Sequence, residues 1–135
     1  MALKITLKPG EKLIIGGAVI ANGKTRSDFV VENTVPILRE KDIMSLKDAD
    51  SACKKIYFAI QLMYIDEKNM SEHHKVFWDL VKDVVGAAPS RKEQLTEISG
   101  HIIAGRYYQA LKIARKLIDY EQEAINHVRK STRSI

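Results

Sequence analysis

The chain contains a single cysteine, Cys53, among its 135 residues. An internal disulfide is therefore excluded, and a lone thiol with no activating motif beside it reads as a small buried hydrophobe. No stretch approaches the roughly 18 consecutive apolar residues that a membrane-spanning helix needs. The opening Met1-Ala2-Leu3-Lys4-Ile5-Thr6 lacks the apolar core and small-residue cleavage site of a secretory leader, so a cytoplasmic location is expected. Low-complexity segments and fixed-period repeats are also lacking.

Chemistry-bearing constellations are scarce as well. Gly16-Gly17 fits neither the GxxxxGK(S/T) nor the GxGxxG pattern and falls between short apolar runs rather than before a helix, so it reads as a hairpin turn, not a phosphate loop. His73 and His74 are adjacent, which on a helix points them about 100° apart. With Glu72 they can offer single ligands but not the i, i+4 pair that chelates one ion. His101 and His127 have no carboxylate or cysteine at ligand spacing. No nucleophile, base and orienting group converge in the pattern, so neither an enzyme nor a cofactor or metal is expected.

What is present is ordinary globular material: 45% apolar and 29% charged residues, with a formal charge of +5. That length suits one domain or two small lobes. The basic balance favours polyanionic partners without specifying one.

The first forty residues alternate turn signals with short β-branched or apolar runs, the pattern of consecutive hairpins. Leu3, Ile5 and Leu7 alternate with Lys4, Thr6 and Lys8, predicting a strand with one apolar and one partly cationic face. Lys8-Pro9-Gly10-Glu11 suits a type II turn, and Gly16-Gly17 and Asn22-Gly23 suit hairpin turns. Strands follow over Lys12–Ile15, Ala18–Ala21 and Ser27–Val31, with a fifth near Val35–Glu40 placed at an edge or strand start by Pro36. Exposed sheet edges of this kind are compatible with a homodimer.

After Met44 the spacing becomes helical, which divides the chain into an antiparallel β lobe, 1–44, and a helical lobe, 45–135: an α+β protein with about five short strands followed by four helices. Ile56, Ile60 and Met63 mark a first helix over about Asp50–Ile65. Ser71 is a candidate N-cap for a second, with Phe77, Leu80, Val81 and Val84 inward, ended by Gly86 and Pro89. Ser90 with Glu93 forms a candidate capping box for a third, carrying Leu95, Ile98 and Ile102. Gly105 stops it. A fourth helix from Arg106 towards Val128 should bury Tyr107, Leu111, Ala114, Ile118 and Ile125, leaving the tail Lys130–Ile135 frayed. The aromatics Tyr57, Tyr64, Phe77, Trp78, Tyr107 and Tyr108 sit at helical spacing and read as packing residues.

Basic residues fall in two groups. The sheet lobe carries Lys4, Lys8, Lys12 and Arg39; the last helix carries Lys112, Arg115, Lys116, Arg129, Lys130 and Arg133. The second group is interleaved with Asp119, Glu121 and Glu123 and reads as a solvated charged face.

Several blocks carry a family likeness. Met1–Glu11, Ile14–Ile20, Pro36-Ile37-Leu38-Arg39-Glu40-Lys41-Asp42-Ile43-Met44, Gln61-Leu62-Met63-Tyr64 and His101–Lys112 together resemble the FlbT family of flagellin-synthesis repressors, in order and over almost the full chain. That resemblance implies post-transcriptional control through the 5′ untranslated leader of flagellin messenger RNA, lowering or in some members promoting flagellin production. It implies FlaF, or flagellin itself, as a protein partner, and no catalysis.

The first 44 residues are also similar to CsrA, a dimeric translational repressor, in the spacing of Gly10-Glu11, Ile15-Gly16 and Leu38–Ile43. By motif position this likeness matches Lys8 to a basic residue of CsrA's first strand and Arg39 to its principal RNA-contacting arginine. The chain departs in having Leu7 where CsrA has a further arginine, and in adding the helical lobe. The RNA-binding edge expected on these grounds is Arg39 with Lys4, Lys8 and Lys12.

Overall fold

The computed structural model describes the backbone of residues 2–133 and the side chains of residues 2–130. Two compact units are separated in it: Met1–Ile43 with Tyr64–Lys68, and Met44–Met63 with Asn69–Ile135.

The first unit holds five strands where the turn chemistry placed them: β1 (Leu3–Leu7), β2 (Lys12–Ile15), β3 (Ala18–Ala21), β4 (Ser27–Val31) and β5 (Ile37–Arg39). They divide between two antiparallel sheets, a β1-β4 ribbon and a three-stranded sheet ordered β3-β2-β5. Ile5, Leu7 and Leu13 are buried at the centre, with Ile15, Phe29, Val31 and Ile37 packed on them, so both sheets contribute to one core. The period-2 alternation of β1 accounts for its share: Ile5 and Leu7 are buried while Lys4 is exposed. Pro36 precedes β5, which is an edge strand, as its missing amide requires.

Both φ angles of the β2-β3 turn are positive, +54° at Gly16 and +88° at Gly17, which is what a two-residue type I′ hairpin demands. Gly10 has φ +73° and the Glu11 amide donates to the Lys8 carbonyl at 3.1 Å, completing the expected type II turn.

Asn22-Gly23 is not a hairpin turn. β3 pairs with β2 and β4 with β1, so this dipeptide carries the chain from one sheet to the other. Side-chain chemistry explains it: Asn22 Nδ2 donates to the carbonyls of Leu7 at 3.2 Å, Lys8 at 2.8 Å and Thr25 at 3.0 Å, and its Oδ1 accepts from Ser27 Oγ at 2.9 Å. An asparagine that ties its own connection, at Thr25, to the end of β1, at Leu7 and Lys8, replaces the turn that its sequence suggested.

The second unit is built on α1 (Ala52–Ile65), whose last two residues are counted with the first unit, and on α2 (Met70–Ala87), α3 (Lys92–Ile103) and α4 (Tyr107–Arg133). Ile56, Tyr57, Ile60, Met63, Phe77, Val84, Leu95, Ile98, Ile102, Ala110, Leu111, Ala114, Leu117 and Ile118 are buried. The α3-to-α4 connection is a Schellman motif: Gly105 has φ +75°, its amide donates to the Ile102 carbonyl at 3.1 Å, and the Arg106 amide donates to the His101 carbonyl at 2.8 Å.

Both proposed N-caps are corrected. A 3-10 turn over Glu67–Asn69 runs straight into α2, so Ser71 is the second helical residue and Asn69 occupies the cap. Another 3-10 turn, Pro89–Arg91, starts with proline in its favoured first position, putting Ser90 inside the turn and Arg91 at the α3 cap with no side-chain cap bond.

Leu80, Val81, Tyr64 and Tyr107 are only partly buried. Trp78, Tyr108 and Ile125 are exposed, at 37%, 39% and 39%. Ile125 lies past the buried stretch of α4, which ends at Ile118, and only borders a cavity with Cys53, Val84 and Ala87. α4 continues to Arg133, beyond the expected start of fraying at Lys130; residues 134 and 135 lie outside the described residues.

Candidate nucleic-acid interface

Of the four expected contact residues, the fold brings three together at one end of the first unit. Arg39 ends β5 and Lys12 begins β2, whose next residue, Leu13, lies opposite Arg39 in the ladder. Lys8 closes the turn leading into β2. Arg39 Nη2 donates to the Thr6 carbonyl at 2.9 Å and lies 3.9 Å from Glu11 Oε2. The other carboxylate oxygen of Glu11 accepts from the Lys8 amide at 2.9 Å. The Lys12 amide reaches Glu40 Oε1 at 3.4 Å.

Arg39 therefore has a structural duty: from the three-stranded sheet it fastens the last turn of β1. Its side chain is still 42% exposed, against 18% for Glu11, so the guanidinium fork remains accessible to an outside acceptor. Lys4 stands apart. It lies opposite Val30 on the face where Thr6 Oγ1 donates to Asp28 Oδ1 at 2.7 Å, and it is ~13 Å along the strand from Lys8 at ~3.3 Å per residue.

Two cations absent from the expected set join this end. The Gly10 amide donates to the Gly23 carbonyl at 3.0 Å, and Asn22 links Lys8 to Thr25. The exposed Lys24 and Arg26 are thereby carried to the Lys8-Pro9-Gly10 turn. The only local signal was an asparagine just before two bases, read as a turn; the sixteen-residue separation of Lys8 from Lys24 hid their proximity.

The helical cations are arranged differently. Lys112 Nζ sits 5.0 Å from the Tyr108 ring centre, and Arg115 stacks on Tyr57 at 4.6 Å, which uses them for packing within the unit. The side chain of Arg133 lies outside the described residues.

The histidines are held by ordinary contacts. His74 Nε2 is 3.4 Å from the Tyr107 hydroxyl, and His101 Nδ1 accepts from Arg106 Nε at 3.0 Å. No group of three or more His, Cys, Asp or Glu side chains is placed to hold a metal ion among the described residues. Cys53 is buried, and desolvation, followed by the charge and hydrogen bonding of Glu121, pushes its thiol up to about 12. At neutral pH it is not a thiolate nucleophile. No helix among the described residues is long and apolar enough to cross a membrane.

A family model described as "Flagellar protein FlbT" matches residues 3–125. The chain is 40% identical over 130 residues to the "Probable flagellum biosynthesis repressor protein FlbT" of Caulobacter sp. (strain K31), covering 95% of this chain and 99% of the relative. It is 44% identical over 124 residues to the "Probable flagellum biosynthesis repressor protein FlbT 1" of Bradyrhizobium diazoefficiens, covering 91% and 84%. With the "Flagellum biosynthesis repressor protein FlbT" of Caulobacter vibrioides (strain ATCC 19089) it shares 39% identity, covering 95% and 92%. No solved structure matches the chain.

Proposed function

The chain belongs to the FlbT family, and on that premise we infer that it regulates flagellum biosynthesis by binding the 5′ untranslated leader of flagellin messenger RNA and controlling its translation or stability. The observation that supports this best is the placement of Lys8, Lys12 and Arg39 at one end of the strands, with Lys24 and Arg26 on the segment that Asn22 ties to the Lys8 turn and with Glu11 engaged by Arg39 and the Lys8 amide. Flexible lysines suit phosphates, and the planar arginine fork suits a phosphate or a guanine edge in an unpaired loop. Repression then follows from occupying the leader, by blocking ribosomes or recruiting a nuclease, with no bond-breaking assigned to this chain.

The test is binding of the purified protein to the flagellin leader at two salt concentrations, with scrambled RNA as competitor. Tight binding that outlasts the competitor and weakens steeply with salt supports the reading. Because Arg39 also fastens β1, Arg39→Ala is to be paired with Arg39→Lys, which keeps the charge and loses the fork. Unchanged affinity and salt dependence in both variants would remove Arg39 from the interface.

A second reading has its own observation. In the helical unit, Leu46, Phe58, Leu62, Val76 and Leu80 line an apolar groove of about 290 Å³ with Lys55 and His73 at its margin. Such a groove suits the apolar face of a helix from FlaF or flagellin, acting on the messenger indirectly. That association would respond little to salt, so the same titration separates the two readings.

A further inference from the structure

Glu11 faces Arg39 with a carboxylate that the main chain holds still. Its amide donates to the Lys8 carbonyl at 3.1 Å, its carbonyl accepts from the Asn22 amide at 2.9 Å, and its Oε1 accepts from the Lys8 amide at 2.9 Å. Lys8 and Glu11 thus bond each other twice across the turn that Gly10 closes with its positive φ. With its side chain only 18% exposed, Glu11 is not free to swing aside for an arriving anion as a surface glutamate is.

The other carboxylate oxygen, Oε2, stands 3.9 Å from Arg39 Nη2, beyond a hydrogen bond but close enough to offset the guanidinium charge. Nη2 also donates to the Thr6 carbonyl at 2.9 Å. This nitrogen belongs to both two-pronged faces of a guanidinium, Nε with Nη2 and Nη1 with Nη2. A phosphate held on either face would bring a second anion to the nitrogen beside Glu11, and two anions crowded on one cation repel. A neutral acceptor on the edge of a base meets no such repulsion.

The lysines at this end are placed differently. No ion pair engages the exposed Lys8 or Lys12 among the described residues. Glu40, a further carboxylate here, is exposed and reaches the Lys12 amide rather than the arginine.

On the reading that this end binds RNA, we propose that Glu11 determines its specificity: a fixed anion beside Arg39 turns the arginine from phosphates to the neutral acceptors of an unpaired base and leaves the phosphates to Lys8 and Lys12. Glu11 acts through Arg39 and is a positioning residue. Its charge makes generic polyanions poor ligands for the arginine without weakening the hold on a matching base.

The experiment is binding of the full chain to the flagellin leader and to scrambled RNA over a salt series, for the wild type, Glu11→Gln, Arg39→Gln and the double variant. Glutamine at position 11 keeps an acceptor for the Lys8 amide and loses only the charge; circular dichroism checks the fold. Glu11→Gln should bind scrambled RNA about tenfold more tightly at low salt, with a smaller gain for the leader, so that selectivity falls. Its salt slope should steepen by about 0.7, the share of one added phosphate on a single strand. Arg39→Gln should lose selectivity at the wild-type slope, and the double variant should return to that slope.

A Glu11 with a structural role alone would weaken both RNAs alike and leave the slope unchanged, which would overturn the proposal. A slope that flattens in Arg39→Gln would overturn it as well, since the arginine would then be holding a phosphate, and this arm decides by itself if Glu11→Gln fails to fold. Both outcomes leave leader binding by the wild type intact. A wild type that binds no leader would instead overturn the RNA reading, and this inference with it.

Discussion

Gln61, midway along α1, holds the main chain of Met44 at both of its polar groups: Oε1 accepts from the Met44 amide at 2.7 Å and Nε2 donates to the Met44 carbonyl at 2.9 Å. At 3% exposure Gln61 is the one buried polar side chain among the described residues. Its amide does what a neighbouring strand would do, satisfying a donor and an acceptor that burial would otherwise strand.

Replacing it with leucine keeps approximate volume and removes both bonds. The expected loss is about 2–4 kcal/mol, since two main-chain groups are left unpaired. Urea unfolding measures it, and a loss below about 0.5 kcal/mol would mean that water or a shifted backbone replaces the clasp.

The start of α1 offers a pH-dependent test. Ser51 caps α1 locally, its Oγ accepting from the Lys54 amide at 3.2 Å, and Glu121 of α4 adds to that cap by accepting from the Ser51 hydroxyl and, at 3.3 Å, from the Cys53 amide. Burial and this carboxylate raise the Cys53 thiol from 9.0 to about 12. The folded protein thus keeps a proton that the unfolded chain releases above pH 9, so this contribution is constant below pH 9 and is lost as pH climbs towards 12. Unfolding free energy should fall more steeply between pH 8.5 and 10.5 in the wild type than in Cys53→Ala. Equal slopes would place the thiol in a more solvated setting.

Gly17 and Gly10 share a positive φ but differ in surroundings. A methyl group at Gly17 would lie 2.9 Å from the Ile65 carbonyl oxygen, whereas at Gly10 it would meet nothing within 4 Å. Gly10→Ala should cost about 1 kcal/mol through backbone strain alone. Gly17→Ala should cost at least about twice that, because backbone must also move. Thermal unfolding of the pair checks the order.

The asparagine that joins the two sheets has a readout in proteolysis and in RNA binding. Asn22→Ala removes the donor that holds the segment bearing Lys24 and Arg26. Trypsin should then cut after Lys24 or Arg26 many times faster than in the wild type, while α-helical ellipticity is kept. If both side chains contact phosphates, Lys24→Ala with Arg26→Ala should flatten the salt slope of leader binding by about 1.4, at ~0.7 per contact on single strands. An unaltered slope would exclude both.

The five strands and four helices were legible because each depends on neighbours a few residues away. Period-2 alternation in β1, the paired glycines at Gly16-Gly17, and Gly105 at the end of α3 are local steric demands that any surroundings must meet. The candidate interface was legible only in part. Arg39 and Lys8 were picked out by position within a motif and Lys12 as a base of the same lobe, while Lys24 and Arg26 depended on a bridge that sequence order does not display.

The chain by itself determined element types, the positive-φ glycines and the alternation that buries Ile5 and Leu7, all set by sterics and short-range patterning. Tertiary structure alone decided which strands pair, that Asn22 crosses between sheets, that Glu121 adds to the α1 cap from seventy residues away, and that Arg39 fastens β1 as well as facing solvent. Those outcomes are set by hydrogen-bond satisfaction between segments far apart in the chain. The partner of a buried or bridging polar group is chosen only when the chain has closed around it.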